Sequence, residues 1–422
     1  MSLRAPRGTR DLLPEDLPRV DRIEGTARTL FPLYGYGEIR PPLFEETALF
    51  VRSIGEATDV VEKEMFTIAR DDASYTFRPE GTAGVVRAYL ERQLHKDRPM
   101  RKFFYVGPMF RYERPQKGRE RQFDQIGIEA LGSLDPLLDA EAIHLAALFF
   151  ERLGLEGVEV RVNSMGDGAD RDAYRERLRA FVTPRLERYC ATCRARAERN
   201  VFRVLDCKDG PCRALNAEAP RILGSLSVEN RGHFDAVQAA LEVVGRRVTV
   251  DPGIVRGFDY YTRTVFELHL PSLGARSAVC GGGRYDHLVE TLGGPPLGAV
   301  GFAIGVTPTL LALEERSAAP PGPEVEVFVA CVDEASRTAA FRLVDRLRSL
   351  GVACDLDHES RSVKGQMRGA NRLGALAVVV LGPEEVARGS ARLKLLETGA
   401  EEEVRLSDPS GAAALVRAAR GR

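Results

Sequence analysis

Two segments rich in aromatic and β-branched residues, Lys102–Arg111 and Gln122–Leu131, flank one short polar stretch. Each reads as a strand. The stretch between them, up to Arg121, is polar and contains Gly118. It reads as a loop joining antiparallel strands, so an antiparallel sheet is expected at the centre of the fold. The chain has 422 residues, room for two or three domains at roughly 100–200 residues each.

Around that hairpin the pattern is mixed. Leu17, Val20, Ile23, Ala27, Leu30, Phe31 and Tyr34 recur at three- and four-residue steps, as on an amphipathic helix. Pro32 and Gly35 limit its length. Residues 38–44 then read as a short extended segment, Tyr75–Arg78 as a strand, and Leu137–Leu153 as a helix. Residues 166–232 form a polar, Arg-rich, partly helical insertion. Strand-like stretches return at Val248–Val255, Tyr260–Leu270 and Ser277–Cys280. Small residues and prolines at 317–323 read as a linker. Beyond it strands are expected at Val325–Cys331, Val352–Leu356 and Leu376–Leu381, and helices at Ala335–Leu350 and Ser362–Leu373. Such alternation implies a small α/β domain. The expected domains are thus 1–316 and 324–422.

Composition excludes some classes. No run of about 18 uncharged apolar residues occurs, so no transmembrane helix is expected. The N-terminus, through Asp16, lacks the apolar core of a signal peptide. A cytoplasmic protein is expected. The net charge of −1 announces no nucleic-acid partner, so any RNA contact must use local basic patches. The six histidines show no ligand or triad spacing.

Four stretches carry chemistry. The first runs from Phe110 to Phe123 and holds five Arg or Lys residues. It is a solvated loop or a phosphate- and RNA-binding one. Guanidinium suits phosphate because its fork donates two parallel hydrogen bonds. In the second, Phe77-Arg78-Pro79-Glu80-Gly81-Thr82, a turn enters a helix with Thr82 as a candidate N-cap. A carboxylate there also suits an ammonium ligand. The third, Arg256 to Glu267, reads as a strand with aromatic core residues. The fourth is Gly281-Gly282-Gly283-Arg284-Tyr285-Asp286, where triple glycine allows close strand approach.

Together these stretches resemble the histidyl-tRNA synthetases, a bacterial-type family of class II aminoacyl-tRNA synthetases. Phe110–Phe123 resembles their motif 2, and the Arg114–Arg119 string its histidine-specific form. The third and fourth stretches resemble the two signatures peculiar to the family, with Phe258 where Leu is usual. Arg7–Asp11 and Pro42 match as well, Pro42 at the motif 1 proline of the dimer interface. Arg361–Gln366 and Lys394 resemble an anticodon-binding domain. The resemblance implies an α+β catalytic domain on an antiparallel sheet with flanking helices, plus a C-terminal α/β anticodon-binding domain. It implies a homodimer that activates L-histidine with ATP and Mg2+ and charges tRNA(His).

The resemblance also assigns residues. Arg111 and Arg256 would bind the α-phosphate, Arg256 where other class II enzymes use a metal ion. Glu80, Thr82 and Gln125 would hold the α-amino group. Glu129 and Tyr261 would hydrogen-bond the imidazole, with Tyr260 lining the pocket. Glu113, Arg119 and Arg121 would serve ATP, and Arg114 and Gln116 the tRNA acceptor end. One departure stands out. After Gly301–Val306, Thr307 and Pro308 occupy the place of the family's motif 3 Glu-Arg, with Thr307 a candidate N-cap and Pro308 suited to a first helical turn. That loss favours a non-charging paralogue such as the ATP phosphoribosyltransferase regulatory subunit, whereas the C-terminal domain argues against it.

Cys190, Cys193, Cys207 and Cys212 remain. Four thiolates at this spacing suit a structural tetrahedral Zn2+, or stand as free thiols in a surface insertion. The family does not require zinc. The other three of the seven cysteines read as small buried hydrophobes.

Overall fold

The computed structural model describes residues 3–56, 58–98, 100–116, 118–205, 207, 209–254, 258–316 and 325–420. The chain divides into two compact units, 1–318 and 319–422. The expected linker at 317–323 lies outside the described residues, as does Arg256.

The first unit is built on an eight-stranded sheet. Its strands lie in the order Gly37–Glu38, Arg101–Phe110, Gln122–Leu131, Ala299–Gly305, Ala278–Arg284, Thr262–His269, Glu159–Ser164 and Thr249–Val250. Only the two outermost pairings are parallel; the rest are antiparallel. The helices Leu17–Leu30, Pro136–Arg152 and Val228–Val243 bury apolar faces. They share one core with Phe104, Ile126, Ile128, Phe266, Phe302 and Ile304 of the strands. At about 25 cal/mol per Å2 of buried apolar area, this layer dominates the unit's stability. A smaller sheet of Phe44–Glu46, Ala73–Phe77 and Phe66–Arg70 stands beside it.

The first helix stops at Leu30, where a 3-10 turn, Phe31–Tyr34, takes over. Pro32 lacks the N–H that would extend the α-helix. Gly35 then turns the chain at φ 80°, a conformation that costs glycine little. The extended segment at 38–44 pairs only at its two ends. Of the stretch read as Val248–Val255, only Thr249–Val250 pairs as a strand among the described residues, and Val255 lies outside them.

The second unit has a five-stranded sheet in the order Cys354–Leu356, Val327–Cys331, Ala377–Leu381, Ser390–Leu395 and Glu401–Arg405. The first three are parallel and the last two antiparallel. Its own core gathers Val327, Val329, Leu343, Leu347, Val379 and Leu393.

Candidate active site

Strand Gln122–Leu131 carries Glu129 into the interior, where only 1% of the residue is exposed. Two other elements close on its carboxylate. The Thr82 hydroxyl, from the first turn of helix Thr82–Glu91, donates to Oε1 at 2.6 Å. The Tyr285 hydroxyl, just past strand Ala278–Arg284, donates to Oε2. The neighbouring strand must leave room. A Cβ on Gly301 would lie 2.2 Å from Glu129 Oε2, far inside contact distance. Burial pushes the Glu129 carboxyl up to about 8, against the lowering pull of the Thr82 and Tyr285 hydrogen bonds. Nearby Glu80 adds a smaller push in the same direction.

Glu80 is buried and faces the start of the same helix. Its Oε2 accepts the Thr82 N–H at 2.6 Å and its Oε1 the Ala83 N–H at 2.9 Å. Glu80 therefore satisfies the orphan amides of the first turn, a job the sequence suggests for Thr82. Thr82 instead sits inside the helix and turns its hydroxyl to Glu129. Burial raises the Glu80 carboxyl despite those donors.

Gln125 lies four residues before Glu129 on the same strand. Its side-chain Oε1 is buried with no hydrogen-bond partner among the described residues. Buried acceptors without partners are rare, and this one suits the N–H of a bound ligand. Tyr260 packs its ring against Tyr261 at 4.7 Å and Tyr285 at 5.5 Å. Burial holds the Tyr260 and Tyr285 hydroxyls well above the ordinary phenol range, so they stay protonated donors. Tyr105 threads between Gly81 and Gly127, at each of which a Cβ would fall about 2 Å from its ring. Those two glycines let helix and strand meet across an aromatic ring.

Arg111 begins the loop after strand Arg101–Phe110. Its Nε donates to the Pro79 carbonyl at 2.7 Å. Its guanidinium lies 5.4 Å from the Phe123 ring centroid and 5.5 Å from that of Phe258. The hairpin, the turn before Thr82 and the 258–261 loop thus orient one cation. Further along, Arg121 stacks 3.7 Å from the Tyr112 ring and Arg119 pairs with Glu113 at 3.4 Å. Arg114 is exposed, and exposed Gln116 bridges to Arg119. Glu120 accepts the Thr307 hydroxyl at 2.9 Å and pairs with Arg10 at 3.3 Å. Thr307 lies inside helix Val306–Arg316, so its hydroxyl ties that helix to the loop instead of capping it.

Two residues of the triple-glycine signature are architectural. Arg284 is fully buried. Its Nε donates to both Asp139 oxygens at 3.0 and 3.1 Å, and its Nη1 to Asp286 at 2.9 Å and the Ser133 carbonyl at 2.8 Å. His233 completes the network at 2.9 Å from Asp139. Asp286 also accepts the Ala299 N–H. Tyr285, held between them, turns its hydroxyl to Glu129. In the insertion, Cys190, Cys193, Cys207 and Cys212 come together, with all four sulfurs within 4.8 Å of one another.

The site therefore holds two buried carboxylates, protonated tyrosines, an unpartnered amide oxygen and an aromatic-clamped arginine. It suits a ligand with N–H donors beside an anionic group. Similarity to known proteins agrees with that chemistry. The family model described as "Histidyl-tRNA synthetase" matches residues 8–308, and that described as "Anticodon binding domain" matches 326–411. A histidine–tRNA ligase of Moorella thermoacetica is 50% identical over 95% of this chain and 96% of its own. One of Halothermothrix orenii is 44% identical over 97% and 98%. The apo histidyl-tRNA synthetase of S. aureus superposes with a TM-score of 0.80 at 36% identity, covering 99% of both chains. A protein of Bacillus halodurans C described as an ATP phosphoribosyltransferase regulatory subunit/histidyl-tRNA synthetase shares the fold, with a TM-score of 0.64 at 23% identity over 87% and 97%. A model match over most of the chain and identity of this extent have one meaning: the chain belongs to the histidyl-tRNA synthetase family.

Proposed function

We propose that the protein is a histidine–tRNA ligase that activates L-histidine with ATP and charges tRNA(His). The observation that carries this reading is the buried Glu129 carboxylate, ringed by tyrosines beside the unpartnered Gln125 oxygen. In the first step the histidine carboxylate attacks the α-phosphorus, the bond to the β-phosphate breaks, and pyrophosphate leaves. In the second, a hydroxyl of the tRNA's terminal ribose attacks the acyl carbon and AMP leaves. Neither step needs a protein nucleophile. Positioning and charge stabilisation do the catalytic work.

In this reading Glu129 and Tyr261 bind the imidazole, with Tyr260 and Tyr285 closing the pocket. Glu80, Thr82 and Gln125 bind the α-amino group. An amino acid without ring N–H groups would leave buried polar groups unpaired, which permits discrimination of about 10^4. Arg111 and Arg256 stabilise the α-phosphate. Glu113, Arg119 and Arg121 serve the rest of ATP, which enters as its Mg2+ complex. Exposed Arg114 and Gln116 face the tRNA acceptor end, and the C-terminal unit binds the anticodon. The protein acts in the cytoplasm as a homodimer. Exposed Leu43, Phe44, Ile68 and Tyr75 next to Pro42 support that assembly, since a patch of this kind is costly to leave in water.

The regulatory-paralogue reading rests on Thr307-Pro308. Against it, the 44–50% identical relatives are named histidine–tRNA ligases, whereas the protein named in part as a regulatory subunit lends only its fold. The direct test is charging of tRNA(His) with labelled histidine. Charging supports the proposal. A folded protein that does not charge returns the paralogue to the front.

Two predictions arise here. Arg111→Ala and Arg256→Ala should each slow single-turnover adenylate formation by about 10^2–10^3, the scale of one charge-stabilising donor. Near wild-type rates would remove the residue from its role. A chain ended at Pro323 should lose charging far more than adenylate formation, and equal losses would contradict an anticodon role for the second unit.

A further inference from the structure

The insertion between strands Glu159–Ser164 and Thr249–Val250 has a core of its own, drawn from Tyr174, Leu178, Val201, Phe202, Val204 and Leu215. Around the cysteines its helices are short. Helix Ala191–Arg199 has 9 residues and helix Gly210–Ala217 has 8, and helices this short are marginal alone. Small units of this kind commonly need a staple.

The cysteines are placed as one would be. Cys190 precedes helix Ala191–Arg199, Cys193 lies in its first turn, and Cys212 lies in the first turn of helix Gly210–Ala217. Helix N-termini favour thiolate. The Cys190 and Cys207 sulfurs are 3.9 Å apart, and no pair of the four lies beyond 4.8 Å. All four are free. A disulfide would need about 2.05 Å between sulfurs. Four sulfurs each about 2.3 Å from one tetrahedral ion would stand roughly 3.8 Å apart. Cys193 and Cys212 are buried and the other two half-buried, which leaves no open coordination position of the sort a catalytic metal keeps. The Cys190 N–H also donates to the Cys212 sulfur at 3.3 Å, the kind of outer hydrogen bond that orients a metal ligand.

The element between the cysteines reaches the active site. Arg196 and Arg203 both pair with Asp59, at 3.0 and 2.7 Å, and Arg199 with Glu62 at 2.5 Å. Two residues on, the Glu64 carbonyl accepts the Tyr112 N–H at the base of the arginine loop. Asn200 Nδ2 donates to Asp259 Oδ1 at 2.9 Å. Asp259 sits between Phe258, which packs on Arg111, and the pocket tyrosine Tyr260.

We propose that Cys190, Cys193, Cys207 and Cys212 bind one structural Zn2+, and that the ion fixes helix Ala191–Arg199 so that Arg196, Arg203 and Asn200 hold the 58–64 and 258–261 loops in place. The second half rests on the proposed function; the first does not. Asn200 is a positioning residue here, acting on the site through Asp259.

The test uses the full chain, purified without chelator. Elemental analysis should find one zinc per chain. Exchange with Co2+ should give the thiolate-to-cobalt charge-transfer and d–d absorption of a tetrahedral sulfur site. Cys193→Ser and Cys212→Ser should lose the zinc. A metal-free wild-type chain with four freely titrating thiols at these positions, or one carrying iron, would overturn the assignment without touching the ligase reading. Asn200→Asp keeps the oxygen that accepts the Phe202 N–H but loses the donor to Asp259; it should keep its zinc and melting temperature while losing about tenfold in histidine-dependent turnover, the scale of a small misplacement. Unchanged turnover in that variant would overturn the bracing role and leave the zinc site standing.

Discussion

Glu129→Gln should lower histidine-dependent adenylate formation by about 10^2–10^3, the consequence of losing the one buried carboxyl that can give up its proton against a bound imidazole, roughly 3–4 kcal/mol. The same variant should change stability in the opposite sense, but only at high pH. Burial raises the folded carboxyl to about 8 from an ordinary 4.5. A folded pKa above the unfolded one means that the folded state binds the proton more tightly. The stability this contributes is full below about 4.5 and is lost as pH rises through about 8. Glutamine does not ionise and keeps its contribution throughout. Thermal unfolding should therefore show the two proteins close together at pH 5, with the variant the more stable at pH 9. Parallel curves across that range would mean that Glu129 is ionised in the ligand-free pocket. An active variant would mean that Glu129 does not read the imidazole.

Arg284→Met should destabilise the first unit by about 3–5 kcal/mol, the usual cost of removing one partner from a buried ion pair. The loss takes the guanidinium from Asp139 and Asp286, both buried, leaving them only His233 and neutral donors such as the Ala299 N–H, and removes the donors to the Ser133 and Asp135 carbonyls. Methionine fills part of the volume, so the loss reports charge more than cavity. Arg284→Lys should fall between the two, because a single ammonium cannot reproduce the fork that serves two carboxylates and two carbonyls. Denaturant unfolding of the three proteins checks the order. A loss below about 1 kcal/mol for Arg284→Met would show that the two aspartates find other partners or take up protons at small cost.

Both predictions concern residues whose roles were only partly legible in the chain. Glu129 is carried by a strand whose bounds, Gln122–Leu131, the sequence predicts as found, because its apolar run and the polar loop before it are local signals. Arg284 stands in a signature visible in the sequence, yet its partner Asp139 lies 145 positions away along the chain, and His233, which pairs with Asp139, lies 94 positions from it; no local pattern announces either. The resemblance placed Tyr285 in a signature of the family, but its meeting with Glu129 follows from the order of strands in the sheet. Glu80 took the capping task expected of Thr82 because burial fixed its carboxylate against two free amides. In the second unit, Ser390–Leu395 and Glu401–Arg405 carry no strong strand signal. Glu401, Glu402 and Glu403 are exposed, and tertiary pairing overrides their weak strand preference. The cysteine spacing, by contrast, was open in the sequence, and the fold brings the four sulfurs within 4.8 Å of one another.

The arginine that motif 3 would supply is absent, and Thr307 in its place only ties the helix to Glu120. For histidine to be activated without that arginine, Arg111, Arg119, Arg121 and Arg256 must suffice for the phosphates. ATP–pyrophosphate exchange with each of the twenty amino acids tests this most directly. Exchange with histidine alone is the predicted result. No exchange in folded protein, or exchange with a different amino acid, would contradict it.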